Sequence, residues 1–341
     1  MKSTRLFLSV AAGAIALASS ALAQEVTLRF HQFLPLQASI PAHAIQPWID
    51  KIEADSEGRI KIEHYPSMQL GGGPPALYNQ AKDGVVDIIW TVLGYSPGRF
   101  PKTEVFELPF MTSGAEASSL AFQEYVETYA MDEFRDTHLI AVHTHGPGWI
   151  HSNKPIATLG DVSGQKLRGP TRVITNLLAK LGATPVGMPV PAVPEALSKG
   201  VIDGTVIPWD VTLPLKVPEL VDNHAGFDSE PGLYTATFVV TMNKDSYAQM
   251  PDDLKAIIDA NSGAFAAALF GRVMDESDIR SRAVAEATDN TIVVLDDAEK
   301  ALWMTAAEPV VTDWIAEMEA LNIDAQALID AAKALIAKHT E

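Results

Sequence analysis

The sequence has no cysteine among its 341 residues. Disulfide bonds, thiolate metal sites and cysteine nucleophiles are therefore excluded, and a chain of this length can do without disulfides because its core is large enough. Positive charge is also scarce, since 25 lysines and arginines stand against 43 aspartates and glutamates and the formal net charge is −18. Such an acidic surface argues against nucleic acid and anionic lipid as partners. A small anion would have to be bound at a local positive site.

Long apolar runs are lacking as well. Lys2 and Arg5 precede an apolar run over residues 6–18, and the small residues that follow end in an A-x-A pattern at Ala23. This run is too short to span a bilayer and is typical of a secretory leader. We therefore expect residues 1–23 to be a signal peptide cleaved after Ala23, and the mature protein to be exported to the periplasm.

Several catalytic motifs are also absent. The chain has no H-E-x-x-H, P-loop or G-x-G-x-x-G pattern. An exported metal-dependent enzyme remains an alternative. His143 and His145 share a face of a predicted strand, and His151 follows a Gly-Pro-Gly turn, so these three histidines could bind one metal ion. No carboxylate stands at ligand spacing nearby, and a polar strand end is the more common role of such histidines. We therefore expect no metal and no cofactor.

Apolar strand patterns alternate with helical ones along the whole mature chain. This alternation predicts an α/β fold of the doubly wound type, whose ligands bind beyond the carboxyl ends of the strands. Gly146–Pro147–Gly148 breaks the pattern and is a plausible crossing into a second domain. A continuous helix from Asp252 to about Ala287 is predicted to run along both domains. The expected division is 24–146 with about 233–265 for the first domain, 147–232 with about 266–300 for the second, and C-terminal helices over 301–341.

The stretch GQKLRGPTRVITNLLAKLG, residues 164–182, contains the most informative arginine. Arg168 ends a predicted strand and precedes a helix that starts near Thr171, so that an anion would meet both a guanidinium and a helix N-terminus. An arginine fork can bind a carboxylate with two parallel hydrogen bonds, although a surface ion pair is the alternative. Arg172, one turn later, faces either the same ligand or a solvent-exposed carboxylate.

Aromatic residues are the other candidates for a binding site. Four of them fall at or just beyond the ends of predicted strands, where a crevice is expected: Trp90, Tyr95, Trp149 and Trp209. For Trp209 a hinge position between two domains is an equal alternative. The full set predicted to contact a ligand is Arg168, Arg172, Trp209, Trp90, Tyr95, Trp149, Phe33 and His145.

Five stretches, taken in order, resemble the solute-binding proteins of tripartite ATP-independent periplasmic (TRAP) transporters. They are VDIIWTVLGYSPGRFP with EVFELPF (104–110), SNKPIATLGDVSGQKLRGP (152–170), LGATPVGMPVP (181–191) and ALSKGVIDG (196–204). The resemblance implies a two-domain periplasmic binding protein (type II-like) that closes on an organic acid, with a long helix spanning both domains. It also implies that Arg168, in the K-[IL]-R-x-P motif, forms a salt bridge with the ligand carboxylate, and that membrane permease subunits are partners.

Two departures from the family pattern bear on the ligand. Many members carry a second arginine where this chain has Gly148 or Trp149, and many have D-G-x-E-N-P where this chain reads DGTVIP over residues 203–208. Because unpaired ligand hydroxyls against apolar walls cost about 1–3 kcal/mol each, we expect a weakly polar monocarboxylate, aromatic or alicyclic. The predicted function is capture of this acid by a monomeric protein and its delivery to the TRAP permease. A ligand-sensing binding protein without transport is a further alternative.

Overall fold

A computed structural model describes residues 24–340 of the chain. The predicted signal peptide and its cleavage site lie outside these residues. The strands are β1 Val26–His31, β2 Ile60–Tyr65, β3 Ile88–Val92, β4 His138–Thr144, β5 Trp149–Ser152, β6 Lys166–Gly169, β7 Thr184–Gly187, β8 Gly204–Ile207, β9 Asn223–Gly226, β10 Thr237–Met242 and β11 Thr291–Val294. The α-helices are α1 Gln46–Asp55, α2 Leu77–Lys82, α3 Ala115–Tyr125, α4 Arg172–Lys180, α5 Val193–Ser198, α6 Lys244–Ala248, α7 Asp252–Ala260, α8 Ala264–Glu286, α9 Asp297–Ala320 and α10 Ala325–Thr340.

The strands form two sheets, so the predicted α/β class is confirmed. One sheet has the order β2-β1-β3-β10-β4 and the other the order β11-β9-β5-β8-β6-β7. Both sheets are mixed, because β10 runs antiparallel to β3 and β4 and β5 runs antiparallel to β8 and β9. The antiparallel strands β5 and β10 are each the first strand that the chain forms after it crosses from one sheet to the other. The crossing at residues 146–148 separates β4 of the first sheet from β5 of the second.

Each sheet takes strands from two separate parts of the chain. The first combines strands up to residue 144 with β10, and the second combines β5 to β9 with β11. Helix α9 packs on α4 beside the second sheet, while α10 packs on α3 beside the first. The exact domain boundaries given above stay a prediction.

The prediction of one unbroken helix over residues 252–287 is wrong. Helix α7 ends at Ala260, and α8 begins at Ala264 after Gly263, whose φ of 61° is unfavourable for any residue with a side chain. The backbone N–H of Gly263 donates to the carbonyl of Ile140 at 2.7 Å instead of continuing a helix. Helix α8 is still about 34 Å long at 1.5 Å per residue. It packs on α3 and β4 at one end and on the 3-10 turn Trp209–Val211 at the other, and so contacts both halves of the fold.

Candidate functional site

Arg168 is carried by a rigid part of the second sheet. Strand β6 lies between β7 and β8, and Arg168 is in register with Val186 and Thr205 of these neighbours. The chain then turns into α4, where the hydroxyl of Thr171 caps the helix by accepting a hydrogen bond from the backbone N–H of Ile174. Four apolar side chains on one face of α4 are buried, and they fix the helix against the rest of the domain: Val173, Ile174, Leu177 and Leu178.

The guanidinium of Arg168 is buried and only partly satisfied. The residue is 1% exposed. Its Nε donates to the carbonyl oxygen of Met188 at 2.8 Å, and its Nη1 donates to that of Val206 at 3.2 Å. Its Nη2 is buried and has no hydrogen-bond partner among residues 24–340, and no salt bridge to a carboxylate joins it there. A buried cation without a counter-ion is costly, so this geometry favours the entry of an anion.

A cavity between the two sheets surrounds this guanidinium. Its volume is about 40 Å³. Residues from both halves of the fold line it: Phe33, Leu34, Trp90, Val92, Tyr95, His145, Arg168, Pro170, Val190, Val206, Ile207, Pro208, Asp210, Val211, Tyr234, Ala236, Phe238 and Met274.

Stacked aromatic rings form one wall of the cavity. The rings of Phe33 and Trp90 are 4.7 Å apart with an interplanar angle of 8°, and those of Trp90 and Phe238 are 5.4 Å apart at 5°. The indole N–H of Trp90 is used internally, since it donates to Nε2 of His143 at 2.8 Å. This wall therefore presents carbon surface to the cavity. Two aliphatic residues of β8, Val206 and Ile207, line it as well.

Two of the predicted polar residues line the cavity, and each accepts a hydrogen bond from the backbone. The hydroxyl oxygen of Tyr95 accepts a hydrogen bond from the backbone N–H of Val190 at 2.9 Å. Nε2 of His145 accepts from the backbone N–H of Ala236 at 2.9 Å, and Nδ1 donates to the carbonyl of Gly146. Burial lowers the pKa of His145 to about 4, so that the ring is neutral at pH 7. Both side chains shape the cavity and leave Arg168 as its cation.

Two further polar residues of the cavity, Tyr234 and Asp210, were missed by the sequence analysis. Tyr234 is 1% exposed, and its hydroxyl is buried without a partner among the described residues. The carboxyl group of Asp210 accepts a hydrogen bond from Ser39 at 3.1 Å, and burial raises its pKa above the ordinary value. Tyr234 lies three residues before β10, and no sequence pattern indicated the direction of its side chain.

Arg172 does not share the cavity with Arg168, contrary to the expectation. Its Nε donates to Glu104 at 2.6 Å, Nη2 also contacts Glu104, and Nη1 contacts Glu317 of α9. The helix turns Arg172 away from the cavity, towards the mouth of the cleft and a surface groove beside α9. Glu104 belongs to the half of the fold that contains the first sheet. Arg172 therefore joins the two halves through an ion pair and has no free charge for a ligand.

Trp149 and Trp209 are also outside the cavity, although both had been expected to line it. They contact each other with ring centroids 5.5 Å apart and form a separate small apolar cluster with Ala285. Trp149 packs against Gly226, where a Cβ would lie 2.4 Å from the indole Cδ2, and the Arg282 guanidinium lies 4.8 Å from its ring centroid. The neighbours of Trp209 in the chain, Pro208 and Asp210, do line the cavity.

The three histidines of the metal hypothesis have separate partners. His143 is bonded to Trp90, and His145 to backbone groups. His151 contacts Nδ1 of His224 at 2.7 Å and the carbonyl of Ile207 at 3.2 Å. Within residues 24–340, no group of three or more histidine, aspartate or glutamate side chains is arranged to hold a metal ion.

Similar proteins agree with this cavity. Residues 36–317 match the model of the bacterial extracellular solute-binding protein family 7. The fold is similar to a TRAP solute-binding protein from Rhodoferax ferrireducens T118 in complex with copurified benzoate, with 50% identity, a TM-score of 0.90 and coverage of 92% of this chain and 98% of that one.

Two other solved structures are also similar. One is a TRAP solute-binding protein from a marine metagenome, specific for aromatic acid ligands and crystallised with 3-hydroxybenzoate, with 47% identity, a TM-score of 0.91 and coverage of 93% and 100%. The other, from Bordetella bronchiseptica, has bound (R)- and (S)-mandelate, with 28% identity, a TM-score of 0.84 and coverage of 92% and 99%.

None of the helices between residues 24 and 340 combines the length and apolar character that a membrane crossing requires. The family model covers most of the chain. The solved structures that resemble this chain are those of binding proteins rather than enzymes. The chain therefore belongs to family 7 of the bacterial extracellular solute-binding proteins and is a TRAP solute-binding protein.

Proposed function

We propose that this protein captures an aromatic or other weakly polar monocarboxylate in the periplasm, and that Arg168 holds the carboxylate. One observation carries the proposal: the Nη2 atom of Arg168 is buried without a partner among the described residues, inside a cavity with mainly apolar walls. An anion that enters this cavity supplies the missing acceptor and the missing counter-charge. A ligand with one carboxylate satisfies both.

The walls favour a flat apolar body over a polar one. The stacked rings of Phe33, Trp90 and Phe238 present carbon atoms, and Val206 and Ile207 add aliphatic surface. A sugar acid would bury several hydroxyls here, and each one left unpaired would cost about 1–3 kcal/mol. A second carboxylate would lack a cation, because Arg168 is the charged base among the lining residues and His145 is neutral. A benzoate-like acid therefore fits best.

The ligands of similar proteins support the same chemical class. The Rhodoferax ferrireducens protein was obtained with benzoate, the marine protein with 3-hydroxybenzoate, and the Bordetella bronchiseptica protein with mandelate. All three ligands are aromatic monocarboxylates. The first two proteins share about half of their residues with this chain, so their ligand class is the most informative.

Delivery to TRAP permease subunits in the membrane completes the proposed function. The proposal includes export with cleavage after Ala23 and action as a monomer. Closure of the two halves on the ligand would be stabilised by contacts that already join them, such as those of Thr171 with Glu107 and of Arg172 with Glu104.

A ligand panel measured by thermal shift and calorimetry tests the proposal. We expect benzoate, 3-hydroxybenzoate and cyclohexanecarboxylate to raise the melting temperature, because a ligand at a hundred times its Kd adds about 2.7 kcal/mol to the free energy of unfolding. Benzamide is the matched neutral control and should have no effect. The proposal is wrong if only sugar acids or dicarboxylates stabilise the protein, or if benzamide binds as well as benzoate.

A further inference from the structure

Tyr234 has a hydroxyl group for which the fold provides no partner. The side chain is 1% exposed, its hydroxyl oxygen is buried, and no residue between 24 and 340 forms a hydrogen bond with it. A buried hydroxyl without a partner is destabilising. Tyr234 lines the same cavity as Arg168, whose Nη2 is the other unpaired donor there. Two unsatisfied donors thus face one small cavity.

The position of the Tyr234 ring depends on a glycine. A Cβ at position 148 would lie 2.0 Å from Cε1 of Tyr234, far inside van der Waals contact, so that only Gly148 leaves room for the ring. The backbone N–H of Gly148 also donates to the carbonyl of Tyr234 at 2.9 Å. On another side the ring meets that of His145 edge-on, at 5.3 Å and 88°. The ring is therefore held in place before any ligand binds.

The hydroxyl is a neutral donor, and it lies within electrostatic reach of Arg168. Burial raises the pKa of Tyr234 well above its ordinary value, and the charge of Arg168 acts in the opposite direction. At pH 7 the phenol keeps its proton and can donate it in a hydrogen bond. Such a bond to a carboxylate is charge-assisted, and it is stronger than a bond between neutral groups.

We propose that the hydroxyl of Tyr234 donates a hydrogen bond to the ligand carboxylate that Arg168 holds through Nη2. The inference rests on the proposed function and adds a second carboxylate-positioning residue to it. Because this second donor is neutral, Arg168 stays the one positively charged residue among those that line the cavity, and it pairs with one ligand carboxylate. This charge balance selects monocarboxylates over dicarboxylates.

Calorimetry on Tyr234→Phe tests this role. We expect its affinity for benzoate to be about ten- to a hundredfold lower than that of the wild type, which is the usual effect of losing one hydrogen bond to a charged group. The melting temperature without ligand should be unchanged or higher, because the variant removes an unpaired buried hydroxyl. A purely structural role would instead lower the melting temperature. Tyr78→Phe is the matched control: it removes a buried phenol that contacts Thr137 at 3.3 Å outside the cavity, and it should leave affinity unchanged.

The results separate this inference from the proposed function. If Arg168→Gln abolishes benzoate binding while Tyr234→Phe binds within twofold of the wild type, only the role of Tyr234 is refuted. If the wild type binds no aromatic monocarboxylate, both proposals fail. If Tyr234→Phe does not fold, a crystal structure of the wild type with benzoate decides, since we predict about 2.5–3.0 Å between the phenolic oxygen and a carboxylate oxygen.

Discussion

Replacement of Arg168 by glutamine should separate ligand binding from folding. The substitution removes the buried charge but keeps a side-chain amide that can donate to one of the carbonyls now bonded by the guanidinium, those of Met188 and Val206. In the unliganded protein the charge has no counter-ion among the described residues, so its removal sacrifices no ion pair. We therefore expect the free energy of unfolding without ligand to fall by no more than about 1 kcal/mol.

The effect on binding should be much larger. Arg168 is 1% exposed, so the ion pair with a carboxylate would form away from water. Loss of one partner of a buried pair costs about 3–5 kcal/mol, because the other charge is left uncompensated. A loss of 3 kcal/mol corresponds to somewhat more than a hundredfold in Kd. Isothermal titration with benzoate should accordingly show affinity lower by at least two orders of magnitude.

A second arginine and a neutral ligand are the controls for this experiment. Arg172→Gln removes a cation that pairs with Glu104 and Glu317 outside the cavity. Because the pair with Glu104 joins the two halves, its loss should weaken closure and lower affinity by about fivefold, which is far less than the effect of Arg168→Gln. Benzamide lacks the charge that Arg168 would recognise, so the preference for benzoate over benzamide should disappear in Arg168→Gln. The reasoning is refuted if this preference persists, or if the two arginine variants lose affinity equally.

Three further predictions concern the surroundings of the cavity. Burial raises the pKa of Glu107 from 4.5 to about 7, so its neutral form stabilises the fold below pH 4.5 and this contribution is lost as the pH rises through 7. Glu107→Gln should therefore gain about 3 kcal/mol of unfolding free energy relative to the wild type between pH 4 and 8 in denaturant titrations, and a constant difference would contradict this. Gly94→Ala would place a Cβ 2.3 Å from Thr171 across the cleft. We expect benzoate binding, measured by calorimetry, to be roughly tenfold weaker. Unchanged binding would mean that ligand binding does not need the close approach of Gly94 and Thr171. Trp149→Leu should lower the free energy of unfolding by about 2–4 kcal/mol in urea titrations but leave benzoate affinity within a few fold, and a large loss of affinity would return Trp149 to the site.

The sequence pattern was sufficient to predict those elements of the fold that are determined by residues close together in the chain. The predicted helix that starts near Thr171 is α4, with a buried apolar face and a Thr171 cap that are both local features, and Arg168 lies in the predicted strand before it. The alternation of strands and helices predicted the α/β class. Strands β5 and β9 were missed. The sequence of β9 is Asn-His-Ala-Gly, which has little strand propensity, and β5 directly follows the Gly-Pro-Gly turn.

The errors at the site have a common physical cause, namely partners that are distant in sequence. Arg172 pairs with Glu104 and Glu317, 68 and 145 residues away, and neither distance follows from the helix that carries the arginine. Trp149 begins β5, a strand that was not predicted, and the absence of a side chain at Gly226 lets it pack away from the cavity. The single break at Gly263 also divides a segment without proline that otherwise reads as one helix.

The unpaired hydroxyl of Tyr234 was beyond sequence reasoning for the same reason. Whether a polar atom lacks a partner depends on every segment that folds around it, and here these include the strand end near Gly148 and the ring of His145. The sequence shows that residue 234 is a tyrosine and that it lies near a strand. Its relation to Arg168 required the coordinates.

A crystal structure of the wild-type protein grown with benzoate tests the central claim most directly. We predict one benzoate in the cavity between the two sheets, with a carboxylate oxygen about 2.7–2.9 Å from Nη2 of Arg168 and the ring against Phe33, Trp90 and Phe238. A benzoate bound elsewhere, or one whose carboxylate points away from Arg168, would contradict the account.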